Sequence, residues 1–173
     1  MFVLGIDPGV SRCGYGCVTT EGRGYRALAA GVLTTPPSDP LPERLAALWA
    51  ELQGLLRDCR PQVVVVERVF FQTNVRTAMS VGQASGLALA GAAAAGCRVA
   101  QYTANEVKHA VAGYGGATKD QVQRMVQSLL SLAERPRPPD VADALALALC
   151  HLAIAPRLER MGTASAADAA SQR

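Results

Sequence analysis

The sequence predicts an α/β fold: an antiparallel meander of strands, then strands and helices in alternation, forming one mixed sheet flanked by helices. Three observations carry this. Strand-like runs at 2–7, 14–20 and 25–34 are joined by short connections, and Gly22-Arg23-Gly24 suits a hairpin turn. A β-branched run at 62–66, bounded by Pro61, reads as a buried parallel strand. Helical periodicity fills most of the chain between and after these strands.

The first strand, Phe2-Val3-Leu4-Gly5-Ile6-Asp7, ends on a carboxylate followed by Pro8-Gly9. Asp before Pro-Gly is ordinary turn chemistry, so a capping role and an active-site role are both open for Asp7. Pro36-Pro37-Ser38-Asp39-Pro40 breaks the meander. Asp39 is expected to cap the next helix, with Pro40 in its first turn. Leu41, Leu45, Leu48, Leu52, Leu55 and Leu56 form one apolar stripe on that helix, with Trp49 beside it as a core residue. The run at 62–66 then leads to Glu67, so a second central strand ends on an acid.

Arg68-Val69-Phe70-Phe71-Gln72-Thr73-Asn74 follows. Its adjacent aromatics suit either an exposed stacking surface or a staple onto the next helix. Asn74 can cap a helix running to about Ala95. Gly82, Gly86 and Gly91 lie within it, and each costs about 1 kcal/mol against Ala in a helix. Their retention predicts close packing against the chain's own sheet or a second copy of the helix. A short strand at 98–102 precedes two capping boxes, Thr103/Glu106 and Thr118/Gln121, each opening a helix. Val122, Met125, Val126, Leu129 and Leu130 are the expected buried face of the second.

The stiff segment 134–139 leads to a last helix, from Asp140 to about Ala155, apolar on nearly every side and therefore buried. One domain is expected to span 1–156, and the small, polar, unpatterned residues 157–173 to form a disordered tail.

At 173 residues, 50% hydrophobic and 18% charged, the chain is long and apolar enough for one domain with a real core. A formal charge of +3 permits a nucleic-acid partner without requiring one. Five scattered cysteines, no Cys-x-x-Cys pair and two histidines argue against a zinc cage and a disulfide framework. No charged leader precedes an apolar segment, and the run 84–95 is too short for a bilayer, so a cytoplasmic protein is expected.

Asp140 and Asp143 share a helix face at its first turn. Asp140 fits a capping role. Asp143 lies inside an apolar helix, where an unpaired carboxylate is costly, and no Lys or Arg occurs between 138 and 156. A metal ion would satisfy it. Four acids brought together, Asp7, Glu67, Asp140 and Asp143, would make a hard oxygen site for Mg²⁺ or Mn²⁺. Two such ions can clamp a phosphodiester. Lys108 and Lys119, with Arg68, Arg76 and Arg124, offer a basic rim, and Thr118-Lys119 at a helix start could hold a phosphate.

Gly5-Ile6-Asp7-Pro8-Gly9, Glu67 with Val69-Phe70, Lys108, Lys119 and Asp140-x-x-Asp143-Ala-Leu-Ala, in this order, resemble the RuvC family of Holliday-junction resolvases from residue 1 to about 155. The resemblance implies a ribonuclease-H-like fold with a five-stranded mixed sheet. It implies a homodimer that nicks two opposed strands of a four-way DNA junction, leaving 5′-phosphate ends, with two-ion Mg²⁺ or Mn²⁺ chemistry in each subunit. It assigns metal binding and catalysis to Asp7, Glu67, Asp140 and Asp143, junction stacking to Phe70, and DNA contact to Lys108 and Lys119. It places the dimer contact on the long second helix. Its partners would be a branch-migration motor complex of the RuvA and RuvB type. Some relatives carry His where this chain has Asp140, and Phe71 beside Phe70 leaves open which ring stacks. Two rivals differ in class. An actin-like ATPase would need a second such domain and a second Gly-rich phosphate hairpin. A catalytically silent junction-binding dimer would lack at least one of the acids.

Overall fold

The computed structural model describes residues 1–68 and 75–171, with side chains at 1–68 and 78–156. The elements in chain order are β1 (Phe2–Asp7), β2 (Arg12–Glu21), β3 (Gly24–Thr34), α1 (Leu41–Cys59), β4 (Val63–Glu67), α2 (Val75–Ala94), β5 (Arg98–Tyr102), α3 (Ala104–Ala112), α4 (Lys119–Leu129) and α5 (Pro139–Ser171). The strands form one five-stranded sheet ordered β3-β2-β1-β4-β5. The meander β1-β2-β3 is antiparallel, whereas β1-β4 and β4-β5 are parallel. At the β2-β3 hairpin Glu21 pairs with Gly24, and Gly22 takes φ +56, which suits a glycine in a tight turn.

Strand alternation divides the core in two. Val3, Val63 and Val65 join the cluster built with α3, α4 and α5, while Leu4, Ile6, Val64 and Val66 join the cluster built with α1 and α2. Cys13 and Cys17 belong to the second cluster, so they serve as small apolar side chains there rather than as a ligand pair. Burial pushes the Cys13 thiol up to about 12.

α5 runs across the sheet over β1 and β2, and the strands meet it with glycines. A Cβ on Gly5 would fall on the Ala144 carbonyl oxygen and 2.9 Å from Ala148 N. One on Gly14 would fall on the Asp140 carbonyl oxygen and 2.7 Å from its carbon. The helix backbone therefore rests directly on the strand backbone at its first two turns. Residues 139–156 are also the one described stretch long and apolar enough to cross a membrane, but 67% of that window is buried inside the protein. Its hydrophobicity is spent on the core.

Several sequence expectations are corrected here. Pro40, not Asp39, is the N-cap of α1 and makes no side-chain cap bond; Asp39 instead accepts a hydrogen bond from Ser38 Oγ at 3.3 Å. The buried stripe of α1 narrows to Leu48, Leu52 and Leu56, leaving Leu41 exposed and Trp49 36% exposed at the margin. Met125 is 37% exposed, because α4 turns only Val122 and Val126 fully inward. Of the three α2 glycines, only Gly91 is packed, against Gln53 and Trp49 of α1; Gly82 and Gly86 face open space. Ala84, Ala88 and Ala92 are the inward stripe of α2. Finally, α5 continues as helix to Ser171, beyond the end near Ala155 that its apolar pattern predicts. That pattern reports burial, whereas the Ala-rich residues that follow keep high helix propensity without it.

Candidate active site

Both central strands deliver an acid to the same place. Asp7 follows Val3 and Gly5 on the α5 face of β1, and Glu67 follows Val63 and Val65 on the same face of β4. Ile6 is in register with Val66, so Asp7 and Glu67 end neighbouring parallel strands side by side. The first turns of α5 supply Asp140 and Asp143 above them.

A cavity of about 360 Å³ opens at these strand ends, lined by Asp7, Glu67 and Asp143 together with Lys108 and Lys119. Asp140 is outside its lining. α3 and α4 bring in the two lysines, and local sequence fixes both helix starts. Thr103 Oγ1 accepts from Glu106 N while Glu106 returns to Thr103 N at 2.7 Å. Thr118 and Gln121 make the same reciprocal pair, which leaves Lys119 as the first residue of α4. Of the expected Thr118-Lys119 phosphate pair, the Thr118 N–H donates to Gln121.

The electrostatics are those of crowded acids. Asp7 is raised to about 7, first by burial, then by Asp143, Glu67 and Asp140, with Lys119 opposing. Glu67 is raised by burial and by Asp143, again opposed by Lys119. Lys119 is raised, chiefly by its hydrogen bond to Asp143.

Two cations absent from the local sequence of α5 satisfy its acids. Lys119 Nζ is 2.6 Å from Asp143 Oδ2, and Arg12 Nη2 is 2.7 Å from Asp140 Oδ2. Asp143, with no cation near it between 138 and 156, therefore takes its partner from α4 and not from a metal alone. Asp140 is in the first helical turn, paired to a strand residue, rather than the cap. Among the described residues no three acids, cysteines or histidines stand as a ready-made metal cluster.

Arg12 was missed by sequence reasoning. Its signal was strand parity: Asp7 pairs with Gly14, and Arg12 lies two residues before Gly14, hence on the same face. Arg124 of the expected basic rim pairs instead with Asp120 at 2.9 Å. Phe70, Phe71, Asn74 and the Arg76 side chain lie outside the described residues.

The donor set suits a hard divalent cation, since every candidate ligand is a carboxylate oxygen and Asp7, raised first by burial, is raised further by three neighbouring acids. Together with two lysines on one rim, such a site can bind and hydrolyse a phosphodiester.

A family model described as Crossover junction endodeoxyribonuclease RuvC matches residues 3–151. Relatives described as crossover junction endodeoxyribonuclease RuvC in Moorella thermoacetica and Chloroflexus aggregans are each 49% identical, covering 92% and 94% of this chain and 96% and 99% of theirs. The solved structure of Thermus thermophilus RuvC is 42% identical with a TM-score of 0.84, covering 94% of this chain and 98% of that one. The same Thermus protein in complex with a Holliday junction substrate gives a TM-score of 0.86 at 42% identity, over 94% and 97% of the two chains. The yeast mitochondrial Holliday junction resolvase Ydc2, 16% identical over 91% of this chain and 82% of its own, shares the fold with a TM-score of 0.68.

Proposed function

Because this chain belongs to the crossover junction endodeoxyribonuclease RuvC family, with its ribonuclease-H-like fold, we propose that it resolves four-way Holliday junctions by paired nicks in two opposed strands. The observation that carries the reading is the convergence of Asp7, Glu67, Asp143, Lys108 and Lys119 on one cavity. Asp7, Glu67, Asp140 and Asp143 are the proposed catalytic and metal-binding carboxylates, with Mg²⁺ or Mn²⁺ as cofactor, two ions per subunit. When bound, such ions supply activation of a water and charge neutralisation at the leaving oxygen.

The chain's own groups do the rest. Asp7 and Glu67, fixed on strand ends, set the position of the scissile phosphate relative to α5. Lys119 offsets negative charge at the phosphate, and Lys108 draws the DNA backbone toward the cavity mouth. Phe70 is the proposed stacking aromatic at the crossover, from its place three residues after Glu67. The products would carry 5′-phosphates.

The working unit would be a homodimer, whose two-fold axis matches that of the junction. Support comes from α2, where Met79 is 62% exposed and Gly82 and Gly86 leave open space along the same helix face. Gly82→Leu is expected to fill that space, shift sedimentation from dimer toward monomer, and leave the monomer's thermal melt little changed. The catalytic unit would end at about residue 156, next to Ala155, the last buried side chain among the described residues. A cytoplasmic location and a motor partner of the RuvA and RuvB type complete the proposal.

The test uses synthetic four-way junctions and linear duplexes with Mg²⁺ or Mn²⁺, with nicks mapped to the nucleotide. Symmetrically paired nicks in the junction and an uncut duplex are expected. Equal cutting of the duplex, or no cutting of the junction, would refute the reading.

A further inference from the structure

We propose that Arg12 is a positioning residue: its guanidinium and a divalent cation compete for the Asp140 carboxylate. The proposal rests on the reading of Asp140 as a metal-binding acid. Three observations point to it. First, Asp140 is the one member of the four acids that does not line the cavity, and Arg12 is the group that holds it, at 2.7 Å. Second, no ready-made cluster of acids stands among the described residues, although Asp140 contributes to the electrostatic crowding of Asp7. The acids are close enough to repel one another, yet not gathered into one ligand set. Third, the Arg12 side chain is 50% exposed and that of Asp140 25% exposed. An ion pair this open is weak, so Arg12 can swing into solvent at little cost.

The consequence follows from competition for that one carboxylate. A fixed cation on Asp140 offsets negative charge that a divalent ion would otherwise offset. In the resting protein Arg12 keeps the first turn of α5 from being repelled by Asp7. Arg12 holds Asp140 Oδ2, so an ion that takes that oxygen displaces the guanidinium. Removing Arg12 therefore leaves a more negative site, which holds cations more tightly. A purely structural role, in which Arg12 only pins α5 to β2, has the opposite consequence: its loss would loosen the site and weaken ion binding.

The experiment is calorimetric titration of the full chain with Mn²⁺, without DNA, for wild type, R12Q, R12K, D140N and R12Q/D140N. Circular dichroism melts confirm that each variant is folded. R12Q is expected to bind Mn²⁺ roughly fivefold more tightly than wild type. R12K keeps the charge and is expected to stay within about twofold of wild type. D140N is expected to bind more weakly, and adding R12Q to it is expected to change nothing further. The proposal is overturned if R12Q binds no more tightly than wild type, or if its tightening persists in the D140N background. If D140N leaves Mn²⁺ binding unchanged, the assignment of Asp140 to the metal site fails instead, and the proposal falls with it.

Discussion

Asp7→Asn is expected to abolish junction nicking while making the metal-free protein more stable at pH 8. The loss of activity follows from removing the acid at the centre of the group, with a rate decrease of about a thousandfold or more, equivalent to about 4 kcal/mol of lost transition-state stabilisation. The gain in stability follows from the raised pKa. Asp7 ionises at about 7 in the folded chain, against 3.8 ordinarily, so folding favours its protonated form. Below pH 3.8 both states carry the proton and the acid costs nothing. As pH rises from 3.8 to 7 the unfolded chain ionises first, and wild-type stability falls across that window by at most about 1.4 kcal/mol per pH unit. Solvent at the open side of the cavity screens part of this, leaving a net cost of about 2 kcal/mol at pH 8. Asn has no proton to lose, so its advantage should be absent at pH 4, grow to pH 8, and shrink when Mg²⁺ is added to wild type. Melts in EDTA at both pH values measure it. An equal or lower melting temperature for Asp7→Asn at pH 8 would count against the crowded-acid picture.

Gly14→Ala is expected to be the most damaging change outside the acids. The new methyl would land on the Asp140 carbonyl oxygen and 2.7 Å from its carbon. These are backbone atoms of a helix, so no rotamer change relieves the clash. The first turn of α5 must lift from β2, carrying Asp140 and Asp143 away from Asp7 and Glu67. Overpacking of this kind costs about 1–3 kcal/mol of stability. Displacing reacting groups by an ångström costs about a hundredfold in rate. Gly5→Ala should match the loss of stability, since its methyl would meet the Ala144 carbonyl oxygen farther along α5. Denaturant unfolding and single-turnover nicking, measured on both variants, test this. A Gly14→Ala protein with wild-type activity would show that α5 does not need its close seat on β2.

Much of the architecture was legible because periodicity encodes burial. The apolar run at 2–7, the valine run before Glu67, the leucine stripe of α1 and the two capping boxes each describe a local pattern, and each element forms where its pattern lies. The errors arose where a local pattern fitted more than one outcome. Asp39 had the chemistry of a cap, but Pro40 took that position. The close packing expected of the α2 glycines is met within one chain by Gly91 alone. Met125 fitted the buried stripe of α4 but sits at its edge.

The sequence by itself determined the strand and helix order, the two acids at strand ends, and the i, i+3 pair at the start of the last helix, because these depend on spacing along the chain. Only the tertiary structure decided who neutralises whom. Arg12 lies 128 residues from Asp140 and Lys119 lies on a different helix from Asp143, and no periodicity links them. Their pairing depends on glycines that let α5 lie against β1 and β2. That is a matter of how closely two backbones approach in space, which the linear order of residues does not specify.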